Sequence, residues 1–194
     1  MESTAPRPPA TTLEGLTRRG FLGGLFALGA TALLPARAAG GILGGSRGER
    51  RLSLVHTHTG ERLATTYWGD GAYLEGELAR VEAFLRDFRT GERHAIDPAL
   101  LDQLHAVAEA TGTGAPFQVI SGFRSPRTNE ALRQERGGQA RHSLHMRGQA
   151  IDVRLADVRT GSLRDAALEL GLGGVGFYPG QDFVHLDTGR VRRW

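Results

Sequence analysis

Two histidines and one aspartate stand in settings typical of metal ligands. His145 lies just ahead of a predicted strand over residues 148–155, in which Gly148, Ala150 and Asp152 share one face and apolar residues share the other. On the polar face, a glycine and an alanine therefore precede the carboxylate of Asp152. Such small residues are expected where a ligand or another part of the chain packs closely against the strand. His185 lies in a second predicted strand, in which ionisable residues are embedded among apolar ones.

Together, His145, Asp152 and His185 would supply two imidazoles and one carboxylate. Such a set leaves one coordination position open for water, as catalytic zinc requires. The alternative is that each histidine only satisfies a turn, which is the better interpretation for an isolated histidine. Three candidates in matched settings favour the metal site.

The elements that must position these residues alternate between helix and strand patterns. Apolar residues at helical spacing predict a helix over 73–88, and Asp97-Pro98 is a typical helix start. Further predicted helices cover 125–136 and 162–170, and predicted strands cover 52–58, 117–121, 148–155, 174–179 and 182–188. The pattern predicts a single α+β domain with a small antiparallel sheet flanked by helices.

Composition excludes several classes of protein. The chain has 194 residues, 24 basic and 21 acidic side chains and no cysteine. Disulfide scaffolds and thiolate zinc fingers are therefore excluded. The near balance of charge gives no indication of a nucleic-acid partner, and a 40% apolar content is sufficient for a core.

The first 38 residues have the layout of an export signal. Arg18-Arg19 precedes an uncharged run over 20–36, and Ala36-Arg37-Ala38 offers small residues at signal-peptidase spacing. The arginine pair resembles a twin-arginine signal, which predicts the twin-arginine export machinery as a partner and the periplasm as destination. The alternative is an uncleaved membrane anchor, although 17 uncharged residues are few for a membrane span of about 20.

Cleavage after Ala38 divides the chain into three parts. Residues 1–38 are the predicted signal peptide, 39–50 a Gly- and Arg-rich flexible lead, and 51–194 the folded domain. No stable membrane span is then expected in the mature protein.

The ligand candidates belong to a pattern that resembles a known family. Ser143-x-His-x-x-Gly-x-Ala-x-Asp152, followed by Asp182-x-x-His185, is similar to the zinc D-alanyl-D-alanine peptidases and murein endopeptidases. The upstream segment Ser121-Gly-Phe-Arg-Ser-Pro126 resembles the arginine-bearing motif of that family. The resemblance covers about residues 50–194 and implies the fold shared by hedgehog signalling domains and DD-peptidases.

Three further segments are similar to an exported branch of the family that has twin-arginine signals. They are residues 57–61, residues 173–179 and the closing segment from His185 to Trp194.

The resemblance implies a role for each matched residue. His145, Asp152 and His185 correspond to the ligands of one zinc ion per chain. Arg124 corresponds to the arginine that holds a substrate oxygen or the developing oxyanion; its alternative is a surface arginine paired with an acid such as Glu130 or Asp97. Ser143 is predicted either to hydrogen-bond near the metal, as a substrate-binding residue, or to cap the turn.

The family spacing and the strand alternation indicate different residues as the general base. Asp182 falls where the family has its Glu or Asp general base, three residues before His185. In a regular strand, however, His185 shares its face with Asp187 and not with Asp182, so a bulge or turn at 180–182 would be needed. Asp187 is therefore the rival base, or a carboxylate that orients a ligand. We assign Asp182.

With these roles, the resemblance implies an exported zinc metallopeptidase that acts on the peptide cross-links or stem peptides of peptidoglycan, as a carboxypeptidase or an endopeptidase. The alternative is a non-catalytic cell-wall-binding module that keeps zinc for structure. His56 and His58 alternate on one predicted strand without a third ligand nearby, so we assign them to support of the fold or to lining of the substrate groove.

Overall fold

The computed structural model describes residues 48–137 and 140–194, so the predicted signal peptide and most of the predicted lead lie outside the described residues. The α-helices of this part are α1 (Glu75–Phe84), α2 (Pro98–Thr111), α3 (Pro126–Arg136) and α4 (Thr160–Leu170). The strands are β1 (Arg50–His56), β2 (Arg62–Gly69), β3 (Ala72–Tyr73), β4 (Phe117–Ser121), β5 (Ala150–Arg154), β6 (Gly174–Tyr178), β7 (Phe183–Asp187) and β8 (Arg192–Arg193). Single 3-10 turns cover Leu144–Arg147 and Pro179–Gln181.

The strands form one eight-stranded sheet in the order β3-β2-β1-β4-β5-β7-β6-β8. The pairs β1–β4 and β6–β8 are parallel, and the remaining pairs are antiparallel. The predicted α+β class is confirmed, but the predicted small antiparallel sheet is wrong in size and in strand direction. The reason is that the unpredicted strands β2 and β3 extend one side of the sheet, while the unpredicted β8 adds a parallel strand at the other edge.

Helix α2 begins as its sequence predicts and supplies much of the core. The Asp97 carboxylate accepts a hydrogen bond from the Ala99 amide, and Pro98 occupies the first turn, where its missing N–H costs nothing. The apolar stripe of the helix is fully buried among strand residues: Leu100, Leu101, Leu104 and Val107. No helix in the described part of the chain is long and apolar enough to cross a bilayer.

The loop between β4 and α3 is fixed to the residues that follow α1. The Phe123 amide donates to the Leu85 carbonyl, and the Ser125 amide donates to the buried carboxylate of Asp87, both at 2.9 Å. A Cβ atom at Gly122 would lie 2.7 Å from the same Leu85 carbonyl oxygen. Glycine therefore allows this loop to approach α1 closely, which places the neighbouring Arg124.

Gly148 closes the turn that joins His145 to β5. It has φ +65°, and its amide donates back to the carbonyls of residues 144 and 145. Its own carbonyl accepts a hydrogen bond from the Asp97 amide at 3.0 Å. A Cβ atom at this position would lie 2.0 Å from the Ala95 carbonyl oxygen. Both the conformation and the contact require glycine between the histidine and the aspartate of the predicted metal site.

Gly148→Ala should therefore destabilise the protein more than a glycine substitution with the same backbone strain. Gly112 is the matched control, because it has φ +64° and nothing within 4 Å of its Cβ position. We expect Gly112→Ala to lower the free energy of unfolding by about 1–2 kcal/mol from left-handed strain alone. Gly148→Ala should cost a further ~1–3 kcal/mol for the forced contact.

The measurement is urea unfolding of both variants and of the wild type. Equal losses in the two variants would mean that the backbone around Ala95 yields readily, and that the turn after His145 is not tightly packed.

Candidate metal centre

Three donor atoms from separate segments meet inside the protein. His145 Nε2 lies 3.2 Å from Asp152 Oδ1 and 3.1 Å from His185 Nδ1, and His185 Nδ1 lies 2.9 Å from the same aspartate oxygen. All three residues are buried, and they form the group found among the described residues that could hold a metal ion. The structure thus brings together the three residues that the sequence predicted as ligands.

The pairing of β5 with β7 produces this geometry. Asp152 in β5 lies directly opposite His185 in β7, so both side chains are on one face of the sheet. His145 comes from the 3-10 turn before β5, and the left-handed Gly148 returns the chain into that strand.

The orientation of His145 is set by the loop after β4. Its Nδ1 lies 2.8 Å from the Gly122 carbonyl oxygen. A carbonyl oxygen only accepts, so the imidazole must carry its proton on Nδ1. Nε2 then directs a lone pair toward Asp152 and His185. Burial lowers the pKa of His145 to about 4, despite the opposing effect of the Asp152 charge, so this imidazole is neutral near pH 7.

The orientation of His185 is set by Asp187. His185 Nε2 donates to Asp187 Oδ2 at 3.0 Å, and Asp187 is completely buried. That carboxylate also accepts two hydrogen bonds from the guanidinium of Arg192, at 2.9 and 2.7 Å. Burial opposes ionisation of Asp187, but the hydrogen bonds from His185 and Arg192 hold its pKa well below the usual range. An ionised Asp187 fixes the proton on Nε2 and leaves Nδ1 facing the cluster.

Arg124 lies against the far side of Asp152. Its guanidinium donates to Asp152 Oδ2 at 2.6 Å and to Ser121 Oγ at 2.9 Å, and the residue is 7% exposed. The alternative of a surface arginine paired with Glu130 or Asp97 is therefore wrong. One oxygen of Asp152 is bound by Arg124, and the other is left for the cluster.

The donor set fits a zinc ion. Ligands about 2.0–2.1 Å from a tetrahedral zinc are roughly 3.3 Å from one another, close to the observed separations of 2.9–3.2 Å. Two imidazole nitrogens and a carboxylate oxygen also need a cation between them, because all three are electron-rich. A proton on His185 Nδ1 can meet that need in part. Burial lowers the pKa of His185, but its hydrogen bonds with Asp152 and Asp187 outweigh burial and raise it above the usual value.

Asp182 lies outside the cluster. It follows the 3-10 turn at 179–181 with φ +53°, so the irregular backbone that its predicted role required is present. Its carboxylate, however, accepts hydrogen bonds from Thr160 and, at 3.5 Å, from Arg154, and its side chain is 63% exposed. The hydrogen bonds of Asp187, in contrast, involve His185 directly. The role of general base stays a prediction for either residue.

The remaining candidates occupy different settings. Ser143 is buried just before the 3-10 turn, where its backbone carbonyl accepts from Met146 and its side chain does not cap the turn. Its predicted role in substrate binding stays a prediction. His56 is buried beside Phe88, and the His58 ring stacks on the same phenylalanine at 4.4 Å. These contacts fit the predicted role of the two histidines in supporting the fold.

The sequence analysis missed the residues that support the ligands from outside. Arg192 was not assigned a role, although it belongs to the closing segment that resembles the peptidase family. Gly174 was also missed: its amide donates to Asp187, and a Cβ there would lie 2.5 Å from the Asp187 carboxylate. The signal available in the sequence was the glycine alternation of Gly174 and Gly176 in β6, which leaves the first two positions of one strand face without side chains.

Comparison with known proteins identifies similar chains. The family model described as peptidoglycan L,D-endopeptidase MepK matches residues 45–194. Peptidoglycan L,D-endopeptidase MepK of Escherichia coli strain K12 is 42% identical over 173 residues, which cover 89% of this chain and 93% of that protein. The probable peptidoglycan L,D-endopeptidase MepK of Haemophilus influenzae is 36% identical over 146 residues, which cover 75% and 78%.

We expect the purified protein to bind one zinc ion, and His145→Ala and His185→Ala each to abolish that binding. His105→Gln is the control, because His105 lies on α2 outside the cluster. The measurements are the zinc content, by elemental mass spectrometry, and the zinc affinity, by competition with a chelator. Full zinc content in both alanine variants would place the metal elsewhere.

The affinity should also depend on pH. Zinc must displace the proton held by His185, whose pKa in the metal-free protein lies above the ordinary value. The zinc affinity should therefore be highest above the pKa of His185 and should fall as the pH drops through that pKa. A flat profile between pH 8 and about pH 5 would contradict this ligand assignment.

Proposed function

This chain belongs to the peptidase family described as peptidoglycan L,D-endopeptidase MepK, and we propose that it hydrolyses bonds between an L- and a D-configured residue in the peptide part of peptidoglycan. That it is a peptidoglycan-cleaving metallopeptidase follows from the family itself. The bond, the metal and the export route are the proposal. The observation that carries the proposed metal-dependent hydrolysis is the buried convergence of His145, Asp152 and His185.

The proposal selects one of the two peptidase activities that the sequence left open. Both relatives are named as endopeptidases, so we propose internal cleavage and no longer a carboxypeptidase. We also retain the fold shared by hedgehog domains and DD-peptidases as the architecture to which this α+β domain belongs.

Zinc is the metal that we propose for the cluster. When bound by His145, Asp152 and His185, it would polarise the peptide carbonyl and lower the pKa of water to near neutrality. The protein holds the ligands ready through contacts with Gly122, Asp187 and Arg124. Such outer contacts commonly change metal affinity or activity 10–100-fold when they are removed.

Two side chains are proposed to act on the substrate. Arg124 has its guanidinium next to the cluster, on Asp152, and a fixed cation there can stabilise a developing oxyanion. Ser143 is buried directly before the turn that holds His145, and we propose that it contacts the substrate.

For the general base we propose Asp182. Its exposed carboxylate is accessible to water and peptide, whereas Asp187 is fully buried and occupied by His185 and Arg192. A low pKa of Asp187 also makes it a weak proton acceptor. Hydrogen bonds of a catalytic base are often long before substrate binds, so the present contacts of Asp182 do not exclude it. Asp187 is proposed to position His185.

Peptidoglycan lies outside the cytoplasmic membrane, so a protein that cleaves it must be exported. We propose export to the periplasm by the twin-arginine machinery, through Arg18-Arg19 and the uncharged run that follows.

The activity test uses the zinc-loaded protein on purified peptidoglycan, with released fragments identified by chromatography and mass spectrometry. Wild type should release fragments cut at an L,D bond. Asp182→Asn should keep zinc and lose about 10²–10⁴-fold in rate. Asp187→Asn should weaken zinc binding about 10–100-fold and recover much of its rate at saturating zinc. Asp157→Asn is the control, since Asp157 is exposed and contacts Thr113.

Two results would change the assignment. If the zinc-saturated Asp187→Asn protein is inactive while Asp182→Asn is nearly normal, the two aspartates exchange roles. If the wild type binds peptidoglycan but releases nothing, the non-catalytic cell-wall-binding module replaces the enzyme.

The export test replaces Arg18 and Arg19 together by lysine. The charge stays the same, so a loss of export reports recognition of arginine itself. We expect the precursor to accumulate in the cytoplasm, as seen by cell fractionation and immunoblot. Arg7→Lys, ahead of the pair, should be exported normally. Periplasmic delivery of the double-lysine protein would show that another route exports it.

A further inference from the structure

Residues of four strands form two rows across one face of the sheet. The first row runs Asp152, His185, Gly176, and the second runs Ala150, Asp187, Gly174. Both rows continue to the edge of the sheet, because Arg192 of β8 pairs with Gly174, and Trp194, which directly follows β8, lies beside Gly176. Residues that face one another across strands project to the same side.

The glycine in the first row lets Trp194 reach the metal centre. A side chain at Gly176 would separate β8 from His185; a Cβ there would lie 2.6 Å from the indole of Trp194. With glycine in that place, the indole crosses β6, and its ring centroid lies 5.2 Å from that of His185. Trp194, which directly follows the edge strand β8, therefore borders the predicted catalytic site.

Trp194 is held in this position from several sides. Its Nε1 donates to the Tyr178 hydroxyl at 2.8 Å, and its backbone pairs with Val175 and Phe177 of β6. The guanidinium of Arg192 lies 4.7 Å from the ring centroid. Despite these contacts, the residue is 48% exposed. An aromatic side chain that is both fixed and half exposed loses little conformational entropy when a ligand packs against it.

We propose that Trp194 is a substrate-contacting residue that packs against the aliphatic part of the stem-peptide residue next to the cleaved bond. This inference rests on the proposed function. The contact is apolar because the only polar atom of the indole is already bonded to Tyr178. Its effect is to hold the stem peptide equally before and during the reaction, so it acts on binding of the substrate rather than on the chemical step or on binding of the metal.

The test measures kcat and KM of zinc-loaded variants on a soluble cross-linked muropeptide. Trp194→Ala should raise KM about tenfold with kcat within about twofold, as removal of an apolar binding contact does. Trp194→Phe should recover most of the affinity. Gly176→Ala, which moves the indole and changes no ligand, should also raise KM. The zinc dissociation constants of all three should equal that of the wild type.

A second readout does not depend on turnover rates. Trp68 and Trp194 are the two tryptophans of the chain, so Trp68→Phe leaves Trp194 as the single indole emitter. Its emission should shift to shorter wavelength when muropeptide binds, as followed by stopped flow before the first turnover.

Failure of this inference can be told apart from failure of the proposed function. A wild type that cleaves no muropeptide would overturn the function. A wild type that cleaves it, together with an unchanged KM in Trp194→Ala or an unchanged emission during productive binding, would overturn the role of Trp194 alone. A loss of zinc from Trp194→Ala would likewise overturn it, because the residue would then act on the metal site.

Discussion

The fold has to hold three electron-rich atoms within about 3 Å of one another in a buried space. Because these atoms are buried, repulsion between their lone pairs is weakly screened, so the arrangement needs a proton or a cation among them and firm support behind each residue. The support is different for each: a backbone carbonyl for His145, a carboxylate for His185 and a guanidinium for Asp152. The loop after β4 and the strand β7 hold these three outer groups in place.

The centre itself was largely predictable, because its chemistry is local. His145 and Asp152 are seven residues apart and are joined by a glycine turn and one strand, so spacing and alternation were enough to place them on one face. His185 was identified from its position in an alternating apolar strand, and β7 indeed pairs with β5. The starts of α2 and α3 were also correctly predicted, and the side chains of Asp97 and Ser125 each accept a hydrogen bond from an amide of their own helix.

Strands β2 and β3, which were missed, pair locally, but the missed features near the site depend on contacts distant in sequence. β8 has only two residues and is specified by its pairing with β6, not by a hydrophobic pattern of its own. The sequence likewise offered no means to find that Arg124 binds Asp152, 28 residues later. Strict alternation correctly placed Asp187 beside His185, whereas the family spacing pointed to Asp182. The backbone at Asp182 does turn, but it carries the carboxylate toward Thr160.

The two glycines of β6, Gly174 and Gly176, should also constrain how related sequences diverge. Each leaves space for a particular side chain from the closing segment, Arg192 of β8 at Gly174 and Trp194, which follows β8, at Gly176. A larger residue at either glycine would displace that side chain, and a smaller residue in place of Arg192 or Trp194 would leave a gap beside the candidate ligands. In diverging sequences, these positions should therefore drift as pairs, so that loss of a glycine accompanies loss of the arginine or tryptophan opposite.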